Sequence, residues 1–249
     1  MADLTKPPNP TGGNAIDKPK GIRLGVPALH QRIHKAATAA DATDPLTMPN
    51  RMALMLDCSG SMSGEADSYE RTTTSSKKKI DCLRDAVTTF ITTCSLKDTA
   101  IAIETFGEQD NRSRLALTTF GPILMTTAMG LEAHGCTPMH EAMQFVIKAY
   151  SVTRGIIVSD GVADAPSMCR EYALEYKEAC IPIDTVHIGM STSGEELLKE
   201  IAELTGGKYI KFTDIGAFSK SFKYLTPAFY AQLTAGNIDA ADMGAKELK

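Results

Sequence analysis

No run of apolar residues in this 249-residue chain approaches the roughly 18 needed to cross a bilayer, so a membrane-spanning helix is not expected. An excess of positive charge is also missing. The formal net charge is −4, which disfavours non-specific binding to nucleic acid. None of the six cysteines (Cys58, Cys82, Cys94, Cys136, Cys169, Cys180) forms a C-x-x-C pair, so neither a zinc site nor a thioredoxin-type motif is indicated. Most of them read as small, buried, free thiols. Met1–Lys20 is rich in Pro, Gly, Asn and Lys and lacks the apolar core of a secretory signal. The expected setting is cytoplasmic and reducing. There is no internal repeat, no G-x-G-x-x-G or Walker-type loop and no Ser-His-Asp elbow. Gly60-x-x-x-Gly64 follows an apolar run, but it lacks the Lys-Ser/Thr pair of a phosphate loop.

What is present is an ordinary globular composition, 43% hydrophobic and 22% charged, enough for one large domain with tails. Residues 1–27 carry five prolines and read as a flexible arm. Leu29, Ile33, Ala36, Ala37 and Ala40 have helical spacing, so 28–49 reads as a short helix and linker. From residue 50 to 235, apolar runs alternate with helical patterns. Strands are expected at 52–56, 100–106, 115–120, 155–159, 181–188 and 208–212. Helices are expected near 80–91, from Pro138, and near 167–179 and 194–204. Residues 63–79 read as a polar insertion whose Lys77-Lys78-Lys79 run is a solvated loop. Gly121–Gly135 reads as a loop, the Phe218–Leu233 stretch as two helical pieces broken at Pro227, and 236–249 as a polar tail. Continuous apolar strands between helices predict a doubly wound, mostly parallel six-stranded α/β sheet of Rossmann-like type. The polar 107–114 stretch is short enough for a hairpin, which makes the third strand an antiparallel edge.

The chemistry gathers after the first strand. Asp57-x-Ser59-x-Ser61 puts one carboxylate and two hydroxyls on a tight turn at a strand's carboxyl end. Asp160-Gly161 ends the fourth strand, and Thr137 precedes Pro138 between them. In an open α/β sheet, ligands sit beyond the carboxyl ends of the strands where the strand order reverses. If the first and fourth strands flank that point, two carboxylates face each other. That arrangement is unfavourable unless a proton or cation lies between them. Hard oxygen donors suit Mg²⁺, with Mn²⁺ or Ca²⁺ as alternatives. Each residue alone has a plainer reading. The serines could cap a helix, Thr137 could be an N-cap with Pro138 at the first helical position, and Asp160 could be a turn residue. Asp164 reads as the start of the next helix. His134 and His140 flank the Thr137 loop and read as surface or capping residues. Cys58 and Cys136 lie in the same two loops, where a redox link is the weaker alternative to free thiols.

Together, Asp57-x-Ser59-x-Ser61, Thr137 before Pro138, and Asp160-Gly161 resemble the metal-ion-dependent adhesion site (MIDAS) of a von Willebrand factor A domain. The resemblance covers roughly residues 50–235. The segments Ile181–Gly189 and Ile201–Tyr209 resemble the last two strands of stand-alone intracellular bacterial and phage members of the TerY-like kind. It implies that Ser59, Ser61 and, with ligand bound, Thr137 hold the metal directly, and that Asp57 and Asp160 hold it largely through water. The sixth position would go to an Asp or Glu of a protein partner, and intracellular relatives suggest a MoxR-type AAA+ ATPase. The function expected is a metal-dependent protein-binding module, not an enzyme. The first alternative is a structural or assembly component of a larger complex, motivated by the 1–27 arm. The second is a metal-dependent hydrolase or phosphatase. A haloacid-dehalogenase-type phosphatase would want an Asp at the position of Ser59, so its general acid is missing.

Overall fold

The computed structural model describes residues 44–64, 77–108, 112–188, 192, 194–212, 218 and 222–227. The expected arm at 1–27, the helix at 28–40, most of the polar insertion and the C-terminal tail lie outside the described residues. Six strands form one sheet: β1 (Asn50–Asp57), β2 (Thr99–Phe106), β3 (Arg114–Thr118), β4 (Arg154–Ser159), β5 (Ile183–Ile188) and β6 (Tyr209–Phe212). Their spatial order is β3-β2-β1-β4-β5-β6. All neighbours pair in parallel except β2 and β3, which are antiparallel. This is the doubly wound α/β architecture expected from the alternating pattern.

The five α-helices among the described residues are α1 (Lys79–Thr93), α2 (Gly121–Met129), α3 (Met139–Ala149), α4 (Pro166–Glu178) and α5 (Glu195–Thr205). They cover both faces, so every residue of β2 and of β5 is buried. Alternation along β1 sorts its side chains. Met52, Leu54 and Leu56 join one core with Leu83, Val87 and Phe90 of α1. Ala53 and Met55 join the other with Met143 of α3, Tyr176 of α4 and Leu198 of α5. Phe90, Phe222, Phe218 and Phe212 close the first core as a chain of rings, with centroids 5.3 to 5.5 Å apart. Phe222 lies in the single 3₁₀ turn Phe222–Leu225, and the chain beyond Pro227 is outside the described residues.

The predicted loop over Gly121–Gly135 is overturned in its first half, where Gly121–Met129 forms α2. Pro122 presets the first turn, and Ile123, Leu124, Thr127 and Ala128 are buried on one side. The helix is short, and its threonines conceal the apolar stripe. Thr137 as an N-cap is overturned as well. The capping position is taken by Pro138, and α3 begins at Met139. No helix among the described residues is long and apolar enough to cross a membrane.

The topology places the point of strand-order reversal between β1 and β4. Leu56 is in register with Val158, so Asp57 comes to lie beside Ser159, and Asp160 follows one residue beyond the ladder. The two aspartates therefore leave the sheet side by side.

Candidate metal centre

Asp57 is fully buried, and Ser59 and Asp160 are nearly so. Asp57 is held from two sides. Its Oδ1 accepts from the Ser59 backbone N–H at 2.8 Å, which folds the Asp57–Ser59 turn tightly. Its Oδ2 accepts from the Ser159 hydroxyl on the neighbouring strand at 2.5 Å. The Ser59 and Ser61 hydroxyls lie 2.9 Å apart, and the Ser61 hydroxyl donates to Asp160 Oδ1 at 2.7 Å. Four of the five expected ligands thus form one hydrogen-bonded oxygen cluster. Gly60–Ser63 forms a single 3₁₀ turn, which lets Ser59 and Ser61 face the same way.

Thr137 reaches this end of the sheet through its backbone. Gly60 N–H donates to Gly135 O at 2.9 Å, and His134 N–H donates to Cys58 O at 2.7 Å, so the two loops are stitched together. Gly135 has φ of 75°, and a Cβ there would sit 2.7 Å from the Glu108 side chain, so only glycine fits this crossing. Asp164 does not start the next helix as its position predicted; α4 begins at Pro166. Instead it clasps Thr137. Thr137 N–H donates to Asp164 Oδ2 at 3.0 Å, and Asp164 N–H donates back to Thr137 O at 3.0 Å. Asp164→Ala removes half of this clasp. It is expected to cost about 1 kcal/mol of stability and to speed amide exchange at Thr137, read by hydrogen–deuterium exchange. Unchanged protection at Thr137 would show that the clasp does not hold the loop.

Burial pushes the Asp57 carboxyl up to about 6; the hydrogen bonds from Ser159 and Ser59 lower it, and the Asp160 charge adds to the rise. A buried carboxylate pair of this kind is relieved by a cation. Lys79, the first residue of α1, supplies one: its ammonium pairs with Asp160 Oδ2. Burial, with the Asp57 charge second, pushes the Cys58 thiol up to about 12, which leaves it a protonated, unreactive group at neutral pH. Cys58 and Cys136 are both free, the first buried and the second exposed. The His134 imidazole is exposed and pairs with Glu132 at 3.5 Å; the loop uses its backbone.

Among the described residues, no three His, Cys, Asp or Glu side chains gather as a metal cluster. The donor set here is two carboxylates and neighbouring hydroxyls, all hard oxygens, and that chemistry fits a hard divalent cation. The sequence reading missed Ser159, which was recoverable from strand register, being the residue beside Asp57. It gave Asp164 and Lys79 other roles: Asp164 is not the start of a helix, and Lys79 is not part of a solvated loop but the first residue of α1, paired with Asp160.

No protein-family model and no curated protein sequence matches the chain. Solved structures do. A von Willebrand factor type A protein from Catenulispora acidiphila is 19% identical with a TM-score of 0.54, over 72% of this chain and 42% of that one. The chain thus spans less than half the length of that relative. The vWF domain of the type V pili tip protein Mfa5 from Porphyromonas gingivalis is 12% identical, TM-score 0.54, over 78% of this chain and 98% of that one. Manganese-loaded TRAP protein from Plasmodium vivax is 18% identical, TM-score 0.50, over 70% and 73%. At these identities the likeness is one of fold, and the fold is that of a von Willebrand factor A domain.

Proposed function

From a von Willebrand factor A fold with this oxygen cluster at its switch point, we propose a divalent-metal-dependent binding module that holds an Asp or Glu of a protein partner. The observation that carries the reading is the convergence of Asp57, Ser59, Ser61 and Asp160 from two neighbouring strand ends into one hydrogen-bonded set. Ser59, Ser61 and Thr137 would hold the ion directly, and Asp57 and Asp160 largely through water. Mg²⁺ is the expected ion, and the manganese-loaded state of the TRAP protein supports a divalent choice. Bound there, the ion supplies a positive coordination position for an incoming carboxylate.

The residue types suit that task. Two aspartates balance a divalent charge, and neutral hydroxyls add none, so attraction for a further carboxylate survives. Ser59 and Ser159 occupy both Asp57 oxygens, which favours a supporting role for this group over a nucleophilic one. We therefore place the chain among binding modules and not enzymes.

Short peptides carrying single Asp or Glu residues, screened in Mg²⁺, should bind this chain. Chelator or Asp57→Ala should weaken that binding about 100-fold, and Thr137→Ala about tenfold. Binding indifferent to chelator and to both substitutions would reject the reading.

A further inference from the structure

Lys79 sits where helix physics does not favour it. It is the first residue of α1, at the positive end of the helix dipole, where a cation is destabilising. Its two neighbours in the lysine run behave otherwise. Lys77 pairs with Asp85 at the surface, and Lys78 is exposed. Lys79 alone turns inward. Its side chain is 20% exposed and ends on Asp160 Oδ2, while the Asp160 side chain is 1% exposed. The Lys79 backbone is fixed too, its N–H donating to Gly64 O at 3.0 Å, just beyond the Ser59–Ser61 turn.

The two aspartates are therefore neutralised differently. Asp57 is held by neutral donors, Ser59 N–H and Ser159 O–H. Asp160 gives one oxygen to Ser61 and the other to a full positive charge. An ion drawn to Asp160 meets that charge first.

We propose that Lys79 is a resident counter-cation that competes with the divalent metal for Asp160 and so sets the metal affinity of the site. The proposal rests on the metal-binding reading above. When a metal takes Asp160, Lys79 is released toward solvent at the rim of the same site. There it adds positive charge beside the position offered to a partner's carboxylate. Two aspartates alone would neutralise a divalent ion. With Lys79 nearby, the loaded site carries a net positive charge, which favours an acidic ligand.

The test titrates Mn²⁺ into the full chain by calorimetry, comparing wild type, Lys79→Met, Lys79→Gln and Lys79→Arg. Both neutral variants should bind Mn²⁺ about tenfold tighter than wild type, the scale of a partly buried ion pair, and Lys79→Arg should stay within about threefold of it. Without metal, the neutral variants should melt lower than wild type, and saturating Mn²⁺ should erase the difference. Labelling of Lys79 by an amine-reactive reagent, read by mass spectrometry against the other lysines, should rise when Mg²⁺ is added. If wild type binds Mn²⁺ and the neutral variants bind it equally or more weakly, Lys79 is no competitor and the metal reading stands. If neither wild type nor the neutral variants bind Mn²⁺, both readings fall.

Discussion

Asp57→Asn is expected to do two opposite things: abolish divalent-metal binding, by at least about 100-fold, and make the metal-free protein more stable at pH 8. The first follows from the donor set, since asparagine removes one of the two charges that balance the ion. The second follows from burial. The Asp57 carboxyl is fully buried and lifted from 3.8 to about 6. A folded-state value above the unfolded one means that the folded chain binds the proton more tightly. The stability from that proton is complete below 3.8 and is lost as pH rises through about 6. Above that, the folded chain bears an ionised carboxylate in a dry site, at a cost of about 3 kcal/mol. Asparagine keeps the shape, still accepts from Ser59 N–H, and can donate to the Ser159 hydroxyl in place of accepting from it. Thermal melts at pH 8 with chelator should therefore place Asp57→Asn above wild type, and Mg²⁺ should raise only the wild type. A variant less stable than wild type at pH 8 would show that the cluster is held by its charge and not strained by it.

That opposition explains why the site was legible in sequence. A charge placed at the end of a buried strand conflicts with the local rule that strands of this kind are apolar, and such conflicts mark function. Asp57 and Asp160 each interrupt an apolar run, so both stood out. The six strands and the antiparallel third one followed from the alternation of runs and from the short polar 107–114 segment, because covered parallel strands and a hairpin edge leave different patterns; the order of the strands came only with the structure. The parts that stayed hidden depend on relations across the chain. Ser159 matters because parallel register sets it beside Asp57. Asp164 matters because its loop folds back on Thr137, and Lys79 because one lysine of three turns inward. α2 was hidden for another reason: Thr126 and Thr127 interrupt the apolar pattern of a helix only nine residues long. Thr126 returns its hydroxyl to Pro122 O at 2.9 Å inside the helix.

The second large effect lies at a buried acid on the adjoining strand. Glu104 lies on β2 opposite Met55 and Arg114, and its side chain is 1% exposed. Its Oε1 accepts from Arg114 Nε at 3.0 Å, and its Oε2 has no hydrogen-bond partner among the described residues. Arg114 is itself stacked on the Phe145 ring, 4.1 Å from its centre, with 45% of its side chain in solvent, so it screens the acid only from one side. Burial therefore wins over Arg114 and Arg112 and lifts Glu104 from 4.5 to about 7. The sign is the same as for Asp57: the contribution is whole below 4.5 and is lost as pH rises through about 7, a loss of about 3 kcal/mol. The two acids overlap in pH, so the clean comparison is made in the Asp57→Asn background. There, the gap in melting temperature between Glu104→Gln and its parent should widen steadily from pH 5 to pH 8, while the buried His187, whose imidazole burial pushes down, contributes equally to both and cancels. Glu195 does not confuse the result. Lys199 and Lys211 hold its carboxyl near 2, so its contribution is lost only as pH drops below the window measured. The glutamine can also keep the acceptor bond from Arg114, so the variant should exceed its parent in stability at pH 8 and match it near pH 5. A gap that does not change between pH 5 and pH 8 would mean that Glu104 is ionised throughout, and that Arg114 outweighs its burial.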